Sequence, residues 1–151
     1  MKTLKNKLKK QGGFTLVEML TVVAIIAILI AISIPMVTGA LDRAKKATDA
    51  ANVRAAKAAM SIESLTKTSY TDGTPMAYDA TTGALKAANA EITEYGKVDN
   101  TKIIYVTEVK DIVFYQWAAP KATLTAPVVD DDGTVTTDNG WKTEIPNPDT
   151  P

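Results

Sequence analysis

The sequence predicts an α+β chain, one long N-terminal helix laid against a small antiparallel sheet. Three observations lead there. Residues 14–37 are an apolar run with a single charge, Glu18. Residues 38–66 keep a helical period but turn alanine-rich and amphipathic. From residue 102 onward, runs of β-branched and aromatic residues alternate with turn signals.

Residues 1–13 form a leader with five lysines (Lys2, Lys5, Lys7, Lys9, Lys10), no acid, and a Gly12-Gly13 end. An ordinary secretory signal puts a short apolar region before a small-residue cleavage site. Here the glycine junction comes before the apolar run, so a cut there leaves the run on the mature chain. The lysines hold the leader on the cytoplasmic side, and the C-terminal part is exported. Phe14 to Val37, as a helix rising ~1.5 Å per residue, covers about 36 Å, enough for the hydrocarbon core of a bilayer. A carboxylate inside such a span costs about 2.5–3.5 kcal/mol even on lenient insertion scales, so Glu18 calls for a reason. A plain single-pass anchor with a basic flank accounts for the lysines but leaves Gly13-Phe14 and Glu18 unexplained.

Pro35 is expected to kink or locally open the helix, because it lacks an N–H and its ring meets the carbonyl of Ala31. Ser33 is placed to satisfy a freed backbone group, and Gly39 adds a second soft point. Leu41, Ala44, Thr48, Ala51, Ala55, Ala58, Ile62 and Leu65 then recur at steps of three and four. This narrow stripe is the expected sheet-facing side, with Asp42, Lys46, Asp49, Arg54 and Lys57 off it. Asp42 and Lys46 stand at i, i+4 in the favourable order. A two-stranded coiled coil shares the spacing, but alanine and threonine make a poor seam. Asp72-Gly73-Thr74-Pro75 ends the helix.

Residues 67–101 read as a connecting αβ loop. Ala84 to Ile92 has helix-forming composition after Thr82-Gly83, which predicts a short surface helix closed by Gly96. Residues 102–151 read as an antiparallel β head with a C-terminal region. Its strands are expected at Ile103–Thr107, Ile112–Trp117, Lys121–Thr125 and Thr134–Thr136, with turns at Glu108–Asp111 and Asp130–Gly133. Trp141–Ile145 closes an edge, and the prolines at 146, 148 and 151 mark a frayed end.

Removing the leader lysines leaves 12 basic residues against 17 acidic ones, a mature charge near −5. Such a balance excludes a nucleic-acid-coating surface, which needs clustered Lys and Arg. Cysteine and histidine are absent, which removes disulfides, Ser-His-Asp and Cys-His catalysis, and most transition-metal sites. With no phosphate loop and no paired catalytic carboxylates, the chain reads as a non-enzyme. Asp130, Asp131, Asp132 and Asp138, with Asn139, are the candidate oxygen ligands for calcium. Their spacing is not that of an EF-hand, and three adjacent aspartates also make a solvated turn. Tyr105, Phe114, Tyr115, Trp117 and Trp141 are expected mainly in the core rather than as an adhesive surface.

Gly13-Phe14-Thr15-Leu16-Val17-Glu18 resembles the processing site of class III signal peptides, borne by type IV pilins and pseudopilins. The resemblance covers roughly the first third of the chain, from the basic leader through the apolar run. It implies the pilin fold, and cleavage between Gly13 and Phe14 by a prepilin peptidase that then N-methylates Phe14. It also implies that Glu18 pairs with the N-terminal amine of a neighbouring subunit during filament assembly. In several pili of this family a segment before the proline is non-helical in the filament, often opened by a glycine where this chain has Ala27. The implied partners are further copies in a homopolymeric filament, the processing enzyme, an inner-membrane assembly platform, and membrane lipid before assembly. The implied location is the cytoplasmic membrane first and a surface fibre afterwards. The function read from this is a major pilin, whose fibre serves adhesion, motility or DNA uptake. The alternatives are a pseudopilin of a type II secretion or competence system, or a minor pilin acting as a binding module. Major secretion pseudopilins hold calcium in a C-terminal loop, which is why the aspartates matter. Missing cysteines lean towards a Gram-positive source or a pseudopilin.

Overall fold

The computed structural model describes residues 13–66 and 71–147. The leader up to Gly12, residues 67–70, and the end from Pro148 lie outside the described residues, and with them the leader and most of the frayed-end expectation. The chain divides into two compact units, Met1–Gly39 and Ala40–Pro151. Helix α1, Leu16–Thr66, supplies residues to both.

In the first unit the helix is unbroken across Pro35. Its hydroxyls turn back on their own main chain. Thr21 Oγ1 donates to Val17 O at 2.9 Å and Thr38 Oγ1 to Pro35 O at 3.0 Å. Ser33 Oγ donates to Leu29 O at 2.7 Å, not to the Ala31 carbonyl that Pro35 leaves without its N–H donor. Folding hydroxyls onto the preceding turn keeps the outer surface of this segment apolar.

In the second unit, β1 (Met76–Asp79), β2 (Ala84–Ala87), β3 (Ile103–Val109) and β4 (Ile112–Ala118) form one antiparallel sheet in the order β2-β1-β3-β4. β3 and β4 pair along their full length from Ile103↔Ala118 to Val109↔Ile112. The turn between them is Lys110-Asp111, both at positive φ (49° and 65°), the backbone of a two-residue primed hairpin turn. β5 (Val128–Val129) and β6 (Val135–Thr137) make a separate small hairpin around Asp130–Gly133, closed by Gly133 N donating to Asp130 O at 3.0 Å.

One face of the sheet packs on α1, with Tyr78, Ile104, Val106 and Tyr115 against Val53, Ala56 and Met60. The other face, with Ala77, Ile103, Tyr105 and Phe114, is covered by Ile92, Val129 and Trp141. Two-sided burial explains why Ile103-Ile104-Tyr105-Val106-Thr107 is buried at every position instead of alternating. Four of the five singled-out aromatics are thus core residues, and Trp117 is half-buried beside Tyr95 at a ring distance of 6.0 Å.

Three expectations are corrected. The described part of segment 67–101 holds no helix: Ala84–Ala87 is strand β2 and joins β1 in the sheet. Gly83 takes φ 71° and turns β1 back upon itself, and that pairing outweighs the local helical preference of alanine. Lys121–Thr125 is not a strand; the chain there lies over the sheet, and Tyr105 Oη bonds Ala119 O and Ala122 N, each at 3.2 Å. The third concerns the buried side of α1, which is Asp49, Ala50, Val53, Ala56 and Met60. Leu41, Ile62 and Leu65 of the expected stripe are 52%, 63% and 84% exposed.

Asp49 explains that rotation. Its carboxylate accepts Lys97 N at 2.7 Å and Val98 N at 2.8 Å, so the acid docks the loop before β3 onto the helix. A buried charge is tolerable when donors satisfy it. At the other end of the core, Lys57 Nζ donates to Thr143 O at 2.6 Å and Tyr115 Oη to Glu144 O at 2.9 Å, and Tyr115 bridges Lys142 through the main chain. These bonds fasten the C-terminal segment in a chain with no cysteine. Tyr95 Oη accepts from Ile104 N at 2.9 Å and donates to Tyr78 O at 2.8 Å, and burial pushes its phenol well above the ordinary value.

Removing the Asp49 carboxylate leaves two main-chain donors without their acceptor. Asp49→Ala is expected to lower the unfolding free energy by about 2–3 kcal/mol, read by urea titration of Trp fluorescence in detergent. An unchanged midpoint would mean that the loop is held by other contacts.

Candidate functional site

The helix begins where the sequence motif places its chemistry. Gly13 and Phe14 precede α1 in non-helical backbone. No atom lies within 4 Å of a Cβ built on Gly13, and Phe14 is 77% exposed. Both residues thus stand clear of the rest of the described residues.

Thr15 is the N-cap. Its carbonyl accepts Met19 N at 3.3 Å, the first intrahelical bond, and its hydroxyl accepts Glu18 N at 3.2 Å. Glu18 reaches back: its Oε2 accepts Thr15 N at 2.8 Å and Thr15 Oγ1 at 2.9 Å. The pair is a capping box, Thr-x-x-Glu, in which two orphan groups of the helix end satisfy each other. A carboxylate in the first turn also faces the positive end of the helix dipole. Glu18 thus has an intrachain role that the sequence reading missed, although the Thr-x-x-Glu spacing was there to be read. The box sits one residue after Phe14, so a cut at Gly13–Phe14 creates an ammonium group next to it.

From Leu16 to Val37 the helix is exposed throughout. It is long and apolar enough to cross a membrane. Pro35 lies inside this stretch, and Ile26, Leu29, Ile30, Ile34 and Val37 line a shallow apolar groove along it.

The aspartates are dispersed in turn and ion-pair duties. Asp131 pairs with Lys110 at 2.7 Å, and that ammonium draws its carboxyl below the usual range. Asp132 Oδ1 accepts Thr134 N at 2.9 Å, and Asp138 Oδ1 accepts Gly140 N at 3.0 Å. Asn139 donates to Ala126 O at 2.8 Å. Asp130 contributes its main chain to the hairpin, accepting Gly133 N and donating to Thr134 O. Among the described residues, no three acidic side chains converge as a metal site.

Residues 8–34 match the family model described as the prokaryotic N-terminal methylation motif. This stretch matches a class III signal peptide of the kind found in type IV pilin-like proteins. The motif supports a pilin-like or pseudopilin precursor, with processing by a prepilin peptidase and filament assembly in general terms. It belongs to structural proteins and not to an enzyme class. The long helix on a small antiparallel sheet agrees with the pilin fold. No curated protein and no solved structure matches the chain.

Loss of the Thr15 hydroxyl should loosen the first turn. Thr15→Val is expected to speed amide exchange at Glu18 and Met19 about fivefold to tenfold, the equivalent of ~1 kcal/mol of capping, with Thr15→Ser close to the parent. Hydrogen exchange in detergent micelles reads this, and equal rates in all three would contradict the box.

Proposed function

We propose that this chain is the precursor of a major pilin, the structural subunit of a type IV pilus. One observation carries the reading most of the way. The apolar half of α1 is exposed along its whole length, with a single acid held at its cap. A surface of that size must be covered by lipid or by other copies.

In the proposed sequence, the leader lysines keep the N-terminus in the cytoplasm while the second unit is exported. The prepilin peptidase cuts after Gly13, and Phe14 becomes the methylated N-terminus. Glu18 enters the membrane with its carboxylate already bonded to Thr15, which lessens the cost of an acid in hydrocarbon. At the assembly platform, the ammonium on Phe14 of a neighbouring copy offers Glu18 a full counter-charge. The apolar helices then pack together in the filament core. The exposed face of Leu41, Ile62 and Leu65 extends the surface available to neighbours beyond the membrane segment.

Glu18→Ala tests the role of the acid. Processing and membrane insertion should persist, while protein in sheared filaments falls about a hundredfold or more, as expected when one partner of a buried ion pair is removed. Parental filament yield from Glu18→Ala cells would refute the role.

A further inference from the structure

The second unit is charged oppositely at its two ends. β3 sets the scale: its seven residues cover about 23 Å at ~3.3 Å each. At its start, Lys46 from α1 and Lys102 from the loop rim a groove of about 390 Å³ whose apolar wall is Val98, Trp117 and Pro146. Val98 is 63% exposed. Lys97 lies in the same loop, and Arg43 and Lys45 lie one turn or less before Lys46 on α1. The acids at this end are Asp42, Glu94, Asp99, which pairs with Lys102 at 2.9 Å, and Asp49, which is spent on the loop amides. Five cations against four acids leave this end slightly positive, in contrast to the far end.

The far end of β3 is acidic. The Lys110–Asp131 ion pair brings the β5–β6 hairpin to the β3–β4 turn, and Gly73 N donates to Glu108 O at 2.8 Å, placing Asp72 there too. Glu108, Asp111, Asp130, Asp131 and Asp132 join it, with Lys110 the described cation among them. On the hairpin, Val128 and Val135 are exposed beside these acids. A tip with apolar side chains flanked by carboxylates is the complement of an apolar groove rimmed by ammonium groups. The two features lie on one molecule, at opposite ends of one strand, so the tip does not reach the groove of its own chain.

We propose that the Val98–Trp117 groove receives the acidic β5–β6 tip of a second copy, a head-to-tail contact between exported units. Such a contact is heterologous and propagates from copy to copy without closing. Complementary charge sets register and partner choice, and salt weakens it because both patches are exposed. The inference deepens the filament reading and rests on it for the setting in which copies meet.

The absence of cysteine permits a direct test in the full chain. Val98→Cys and Thr134→Cys are introduced together in cells expressing the protein, and mild oxidant is applied. A ladder of disulfide-linked multimers is expected from the double variant, with no species beyond a dimer from either single variant. Lys46→Glu with Lys102→Glu should cut the ladder about tenfold through like-charge contact, and adding Asp130→Lys with Asp132→Lys should restore it. Filaments that form without any ladder, or reversals that leave it unchanged, would overturn the contact while sparing the filament reading. A ladder in cells that make no filament would keep the contact and refute the pilus. Absence of both would overturn both. Binding to anionic lipid vesicles, lost in the Lys46→Glu variant and accompanied by no ladder, would assign the groove to lipid headgroups instead.

Discussion

The constraint on which this structure depends is an apolar helix segment that the described residues leave uncovered. Every residue from Phe14 to Val37 is exposed, and leaving so many large aliphatic side chains in water costs on the order of tens of kcal/mol. In the proposed reading, lipid covers them at one stage and neighbouring helices at another, so the segment suits a subunit that changes surroundings. In that reading, Glu18 supplies the bias between those surroundings. Its bonds to Thr15 make the acid tolerable in the membrane, but they involve neutral donors. An ammonium from a neighbour is the better partner, since hydrogen bonds between charged groups are roughly twice as strong.

The second unit solves a different problem, that of stabilising a small sheet without a disulfide. It buries the sheet on both faces, under α1 on one side and under the segment after Ala118 on the other. Polar side chains then fasten the irregular parts to the regular ones. Asp49 holds the loop at Lys97–Val98, Tyr105 holds the chain at Ala119–Ala122, and Tyr115 and Lys57 hold the C-terminal segment. Each takes a main-chain group of an irregular segment as its partner.

Much of this was legible in the sequence. The helix was expected from residue 14 to 66 and runs from Leu16 to Thr66; the β3–β4 hairpin and the Asp130–Gly133 turn fall where their turn chemistry places them. The cleavage motif is local, so it too could be read directly. What escaped depends on long-range pairing. Ala84–Ala87 has a helical composition, and only its partner β1 makes it a strand. Nearly every face of an alanine-rich helix is weakly apolar, so counting apolar residues favoured Leu41, Ile62 and Leu65. The true inner face is set by Asp49, an acid that becomes a core residue because two amides 48 and 49 positions away meet it. The capping box was different. Thr15 and Glu18 carry a local signature, Thr-x-x-Glu, whose role at the helix end needs no long-range pairing.

The most direct measurement is the intact mass and N-terminal peptide of protein sheared from the cell surface, set against the membrane fraction. Abundant sheared protein beginning at N-methylated Phe14 is the expected result, because leader removal is what exposes the ammonium that Glu18 is proposed to meet. A chain that keeps Met1 to Gly13 in cells with an active prepilin peptidase would contradict it.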